Sequence, residues 1–289
     1  MLQSKQKKKQ EGKRTIPKSV QRSIPINHIF KDGIIKCGRR YSKSWRFSDV
    51  NYAVASDDDQ LEMFLAHSAI LNGLPTDAVA QISIYTRQHN QNVFEEMIGA
   101  DYGDFAVYKE ELKELLADKM SESNNIVHEK YITVSTEQKN IEEARTLFTR
   151  VGSDLTTDFA RITSKMTELD YFERLRIFYD VFRGNTDEVF QFDLKSEMAR
   201  GTHFVDSICP DSLEFKSDYI KIGDRYARVL FLREYPSFLK DSIISELTDF
   251  SRSMMVSVDI QPIPTDEAAR EVQKKLLAIE TDITKWQQK

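Results

Sequence analysis

Five histidines, two cysteines and 46 acidic side chains are the groups from which this chain could build a reactive site. The histidines, His28, His67, His89, His128 and His203, are scattered without metal-ligand spacing, and no Cys-x-x-Cys occurs. His67 falls near the apolar face of a helical pattern and reads as a hydrogen-bonded structural histidine. Asp57–Asp59 is acidic enough to suggest a cation site, but it stands at a helix start, where carboxylates cap free N–H groups and favour the helix dipole. Glu95, Glu96, Asp101 and Asp104 have no partner that would complete an acid–base pair. Neither Cys37 nor Cys209 has a neighbouring histidine to activate it. Gly12-Lys13 is followed by Arg14, so there is neither a G-x-x-x-x-G-K-[ST] loop nor a G-x-G-x-x-G loop to cradle phosphate. Gly38–Phe47, GRRYSKSWRF, interleaves basic and aromatic residues as single-strand nucleic-acid binders do, although in a hairpin the same pattern is an exposed strand face. On its chemistry the chain reads as an interaction module with no catalytic, cofactor or metal site.

Composition sets what can position such residues. A chain of 289 residues that is 40% hydrophobic and 10% aromatic can bury a core, and 10 Gly with 7 Pro is too few for a loop-rich chain. Two cysteines exclude a disulfide framework and fit a reducing compartment. No signal-peptide pattern opens the chain. Uninterrupted apolar runs are short, as at Val229–Leu232, far below the ~20 residues of a membrane span. The net charge of −5 hides an asymmetry, because residues 1–22 are strongly basic and the body is acidic. Residues 1–24 are expected to form a disordered arm. The arm is either a solvated tail or a contact for anionic lipid or nucleic acid through Lys5, Lys7, Lys8, Lys9, Lys13 and Arg14.

Periodicity then lays out the elements. His28–Tyr52 reads as a hairpin. Ser56 with Asp59 marks a capped helix start, and Leu61, Phe64, Leu65, Ile70 and Leu71 make its apolar stripe up to Asn72-Gly73. Ala80–Arg87 alternates as a strand, with Ile82 and Ile84 opposite Ser83 and Tyr85. A helix is expected over Tyr108–Ser121 and a strand over Lys130–Gln138. A long helix follows from Asn140, with Ile141, Ala144, Phe148, Val151, Leu155 and Ile162 on one side. Thr167–Asn185 reads as a second helix. After an irregular stretch at 186–212 come a hairpin turning at Gly223-Asp224 and carrying Val229–Leu232, a helix over Ser237–Phe250, a strand with Val256, Val258 and Ile260 inward, and a helix opening at Thr265 or Asp266.

The order hairpin, helix, strand, helix occurs twice. The phrases ITVSTEQKNIEEA and VSVDIQPIPTDEAA share an alternating strand, a polar turn and an acidic helix start. The expected fold is α/β in the α+β sense: repeated hairpin-helix-strand-helix units forming mixed sheets covered by helices, with a long helical pair between them. The expected organisation is the arm at 1–24, a subdomain at 25–205 and a second subdomain at 206–289, truncated at its C-terminus.

Four segments in this order, DGIIKCGRRYSKSWRFSDVNY, FERLRIFYDVFRGN, RYARVLFLREYPSFL and SVDIQPIPTDEAAREVQKKL, resemble the N-terminal region of the conjugative-transfer ATPases of type IV secretion. These are the VirB/TrbE/CagE class, in the form carried on mobile elements of Gram-positive bacteria. The resemblance covers nearly all of 25–289. It implies a non-catalytic module that precedes an ATP-driven motor at the cytoplasmic face of the bacterial membrane. Such a module would dock on membrane components of the secretion channel, on its own motor domain and on neighbouring subunits as a homo-oligomer. ATP and Mg2+ would belong to the motor; no Walker residue is carried by this chain, so no catalytic or cofactor-binding residue transfers to it. The alternative is a stand-alone nucleic-acid-binding accessory protein that uses the basic arm.

Overall fold

The computed structural model describes residues 19–88, 115, 126–184, 190–201, 203–234, 242–249 and 252–287. In chain order the elements are α1 (Val20–Ser23), β1 (His28–Ile29), β2 (Ile35–Cys37), β3 (Arg40–Phe47), α2 (Asp57–Asn72), β4 (Ala78–Gln88), β5 (Ile126–Glu137), α3 (Ile141–Arg161), β6 (Met166–Glu168), α4 (Tyr171–Phe182), α5 (Leu194–Arg200), α6 (Val205–Ile208), β7 (Leu213–Phe215), β8 (Ile220–Ile222), β9 (Arg225–Ala227), α7 (Ile243–Thr248), β10 (Met254–Ile260) and α8 (Thr265–Gln287). The fold is α+β, as expected, and every described strand pair is antiparallel. The helix expected over Tyr108–Ser121 lies outside the described residues except for Leu115, as does the start of the one expected over Ser237–Phe250.

Two compact units divide the chain. The larger is built from the described parts of Ile26–Leu175 and Arg233–Lys289, the smaller from those of Arg176–Gly184 and Phe190–Leu232 with the short stretch before Ile26. The larger unit holds a seven-stranded sheet in the order β1-β2-β3-β5-β4-β10, with β6 pairing β3 beside β2. Strand β10 comes from the stretch expected to belong to a second subdomain at 206–289. Instead it runs along β4 from Met254 opposite Thr86 to Ile260 opposite Ala80.

Strand alternation gives the sheet one apolar face. Tyr41 and Trp45 of β3, Ile132 and Val134 of β5, and Ala78 and Ala80 of β4 all point into one core. Helix α3 covers that face with Ala144, Phe148, Val151 and Leu155, buried at the three/four spacing read from the sequence, and with Phe159, which continues that side. Its start is fixed by Asn140, whose Oδ1 accepts the Glu143 N–H at 2.9 Å while its Nδ2 donates to the Glu143 carboxylate at 3.0 Å. Gly152 lets the helix approach closely: a Cβ there would stand 3.2 Å from Trp45 ring atoms. Trp45 is 2% exposed and meets Phe148 edge to face at 6.5 Å between centroids. The turn between β1 and β2 depends on Gly33, at φ 74°, where a Cβ would lie 2.0 Å from the Leu169 carbonyl oxygen.

Helix α2 begins as expected: Ser56 Oγ accepts the Asp59 N–H at 3.3 Å and donates to the Asp59 carboxylate at 2.6 Å. Its expected stripe is divided. Ile70 is buried, while Leu61, Phe64 and Leu65 are exposed. The residues of Thr167–Asn185 do not start as helix either: Met166–Glu168 form β6, and α4 starts at Tyr171. β3 needs a partner where β2 stops, and Met166, Thr167 and Glu168 pair with Phe47, Arg46 and Trp45.

In the smaller unit β7, β8 and β9 form a meander. The β8–β9 turn is Gly223-Asp224, with Gly223 at φ 56° in the first loop position, as a two-residue hairpin requires. The Arg225 guanidinium donates to the carbonyls of Val181 and Phe182 at 3.3 and 2.9 Å, tying β9 to the end of α4. Strand β9 stops at Ala227, so Val229–Leu232 are not part of the hairpin.

Replacing Trp45 by Ala removes the ring on which α3 is seated. The expected cost is about 3–5 kcal/mol in denaturant unfolding, with loss of the cooperative transition the more severe outcome. A loss below about 1 kcal/mol would show that the ring is not central to the core.

Candidate functional site

The basic-aromatic stretch Gly38–Phe47 is neither an exposed strand face nor a stacking platform. It is mostly β3, inside the sheet between β2 with β6 on one side and β5 on the other. Tyr41 and Trp45 are core residues, and Lys43, 7% exposed, is paired with Glu168 of β6. Arg46 projects from the opposite face and pairs with Glu173 at 3.6 Å. The sequence suggested exposure because the stretch is charged; each charge near the core has instead been given a carboxylate.

His67 is exposed on α2, and no described residue hydrogen-bonds it, which corrects its reading as a bonded structural histidine. His128 Nδ1 and Thr86 Oγ1 lie 3.1 Å apart across β4 and β5. Asp57–Asp59 occupy the first turn of α2 and serve its start. Among the described residues no three His, Cys, Asp or Glu side chains converge as a metal site would require. Glu95, Glu96, Asp101, Asp104 and the arm residues Lys5, Lys7, Lys8, Lys9, Lys13 and Arg14 lie outside the described residues.

One buried cation escaped the sequence reading. Arg174, on the first turns of α4, is 6% exposed. Its Nη1 donates to the carbonyls of Gly33 and Ser42, both at 2.8 Å, and its Nη2 donates to Ser42 Oγ at 3.2 Å. Burial pulls the guanidinium down to about 9, with Cys37 the opposing influence. The fork therefore acts as a clamp on the β2–β3 hairpin. Its spacing in FERLRIF gives no hint that Arg174 turns inward onto backbone carbonyls. Burial also raises the Cys37 thiol, against the lowering influence of Arg174 and Arg40. Burial and then Asp206 raise the Cys209 thiol, against Arg183. Both thiols are held away from the reactive thiolate.

A shallow groove of about 250 Å3 runs between the end of α2 and α3, lined by Ile70, Leu74, Pro75, Val151 and Leu155 and rimmed by Arg150, Asp154 and Asp158. It is smaller than the roughly 300–1,000 Å3 of typical small-molecule sites. Asp158 is engaged by Arg161 at 3.0 Å.

The informative surfaces are apolar. In the larger unit Leu61, Phe64 and Leu65, at i, i+3 and i+4 on α2, are 58%, 60% and 58% exposed, on the side of the helix opposite Ile70. A helix apolar on both sides is ordinarily covered on both sides. Nearby, the Gln60 amide donates to the carbonyls of Tyr52 and Ala55 at 3.1 and 3.2 Å, holding Val54, 76% exposed, in the turn that precedes α2. In the smaller unit Val229, Leu230, Phe231 and Leu232 run in sequence at 75%, 81%, 81% and 55% exposure. Isolated exposed apolar residues are ordinary, whereas grouped ones mark contact surfaces. No helix among the described residues is long and apolar enough to cross a membrane. No family model and no curated protein matches the chain.

Two outcomes follow. Exchanging Leu61, Phe64 or Leu65 singly for Ser is expected to change unfolding free energy by less than about 0.5 kcal/mol, because each points outward. Ile70→Ala is expected to cost about 2–5 kcal/mol. Equal costs at Phe64 and Ile70 would mean that the outer face of α2 is covered. Alkylation of the folded chain should be slow at neutral pH at both Cys37 and Cys209. Its rate at Cys37 should still be climbing above pH 9.0, the ordinary thiol value, since burial raises that group. A plateau below that pH would contradict the burial.

Proposed function

We propose that this chain is a non-catalytic N-terminal module of a conjugative-transfer ATPase of type IV secretion, docking to membrane components of the channel and contacting neighbouring subunits. The four ordered segments supply the family half of this reading. The observation that carries the docking half is the outward apolar face of α2, Leu61, Phe64 and Leu65, on a helix whose other side is already committed to the core. Grouped apolar surface of this kind is what a protein partner covers. ATP, Mg2+ and hydrolysis belong in this reading to a motor domain beyond these residues. The place of action is the cytoplasmic face of the bacterial cell membrane, reached through partners and through the basic arm at Lys5–Arg14.

The nucleic-acid alternative keeps only the arm. The other feature that favoured it, Gly38–Phe47, is occupied by the core. DNA binding that weakens steeply with salt and disappears on deletion of residues 1–22 would restore it.

The test has two arms. An open reading frame that continues past Lys289 into a G-x-x-x-x-G-K-[ST] loop is the expected genetic result, and an immediate stop codon would remove the motor from the proposal. In the protein arm, the chain is mixed with the purified membrane proteins encoded beside it. One of them is expected to bind, and the double variant L61K/F64K to bind at least about tenfold more weakly, a loss of 1.4 kcal/mol or more. Binding that is indifferent to those charges would take the docking role away from α2.

A further inference from the structure

The seven-stranded sheet ends differently on its two sides. At one end stands β1, two residues long. At the other stands β10, seven residues paired without interruption to β4. Folded proteins blunt long strand edges with Pro, Lys, a bulge or a covering segment, because an open row of N–H and C=O groups recruits another strand. β10, MMVSVDI, has none of the sequence devices. Its one charge, Asp259, is engaged by the Gln81 amide of β4 at 2.8 Å. Among the described residues no strand pairs its outer edge.

We propose that β10 pairs antiparallel with β10 of a second copy of this chain, about a twofold axis at Ser257, so that the two sheets become one. The sequence of the strand is what selects a second copy. Met254, Val256, Val258 and Ile260 share the face of Thr86, Ile84, Ile82 and Ala80, which is the helix-covered side of the sheet. Directly opposed residues of an antiparallel pair lie on one face, so a twofold pairing must oppose odd with odd and even with even. Of the registers that obey this, only the one centred on Ser257 opposes all seven residues. It sets Val256 against Val258 of the second copy and Met254 against Ile260, which continues the apolar face. It sets Met255 against Asp259, which keeps the two carboxylates apart, and Ser257 against itself. Cross-strand pairs of β-branched residues are favourable and like charges in opposition are not. A closed twofold contact of this kind is also the commonest symmetry of protein dimers.

Helix α8 adds a second reason. It follows β10 as α3 follows β5, yet Val272, Leu276 and Ile279, at helical spacing, are 57%, 55% and 57% exposed. Val258, on the apolar face of β10, is itself 44% exposed. A second β10 widens that face past the present edge and so enlarges the surface available to the α8 stripe. This inference is independent of the channel-docking reading, which rests on α2.

The experiment uses the full chain. Sedimentation velocity with light scattering should give twice the monomer mass, falling to the monomer on dilution. Under mild oxidation S257C should form a covalent dimer, because directly opposed residues place their Cβ atoms about 4.5–5.5 Å apart. D259C alone should not, and a mixture of M255C with D259C should. S257K and S257D should each be monomeric, and mixing them should restore the dimer, which separates loss of the interface from loss of the fold. A monomer at every concentration overturns the proposal. So does a dimer that survives S257K, or one that cross-links as well through D259C as through S257C.

Discussion

The contact between Trp45 and Gly152 is the constraint on which the larger unit rests. The indole lies in the middle of β3, and the helix that covers it can come close only where a side chain is missing. That approach sets the depth of the core. Phe148 reaches the indole from one helical turn before Gly152, Phe159 meets Phe47 at 5.1 Å between centroids, and Ala144 closes the near end. Interiors at crystal-like density leave little freedom in such an arrangement, so the position of α3 and the pleat of β3 determine each other.

A consequence is the fate of the charges on β3. With Tyr41 and Trp45 facing the core, alternation forces Lys43 to the same side. A buried ammonium is tolerated only with a partner, and β6 supplies Glu168 at the point where β2 no longer pairs with β3. The other face of the sheet is served by hydroxyls and ion pairs: Ser44 with Thr133 at 2.7 Å, the Tyr131 hydroxyl donating to Glu129 at 2.7 Å, and Arg87 with Glu129 at 3.4 Å. Arg174 clamps the hairpin through backbone carbonyls instead of a carboxylate. The basic character of GRRYSKSWRF thus describes how an interior strand is neutralised. It does not describe a surface that meets a polyanion.

Legibility followed the range of the interaction involved. Helix α3 was readable at Ala144, Phe148, Val151 and Leu155 because these positions occupy one side and its cap lies within three residues, while Phe159 was missed. The β8–β9 turn was readable because Gly223-Asp224 is a local demand on φ. Helix α2 was readable in extent but not in orientation: with apolar residues on both sides, periodicity cannot say which side meets the sheet, and Ile70 prevails over Leu61 and Phe64 through packing alone. The short strand β6 and the inward turn of Arg174 answer the needs of β3, more than 100 residues earlier, and carry no periodic signal of their own. Strand β10 was recognised as a strand, yet its neighbour was not. Its partner β4 lies more than 160 residues away in sequence, and the matching order of elements suggested a second subdomain.

That last difference bears on the repeat. The two phrases ITVSTEQKNIEEA and VSVDIQPIPTDEAA do produce the same local object, a strand followed by a polar turn and an acid-started helix. Their surroundings make them unlike. Among the described residues β5 has neighbours on both edges, and its helix closes over Trp45, while β10 has a neighbour on one edge and Val272, Leu276 and Ile279 of its helix are exposed. Local sequence can specify a strand-turn-helix unit, but the surface that the unit buries must come from elsewhere, since neither a strand edge nor an amphipathic helix satisfies itself. For the first unit β3 and β4 provide it. For the second, half of it is absent from the described sheet. The same asymmetry appears on α2, where Ile70 is packed in the core while Leu61, Phe64 and Leu65 on the other side are exposed. Grouped exposed apolar residues mark contact surfaces more often than scattered ones do; on α2 they stand on a helix, whereas at Val229–Leu232 they stand on chain outside any helix or strand. On α2 the spacing of Leu61, Phe64 and Leu65 is therefore set by the helix itself, whose opposite side is fixed to the core through Ile70.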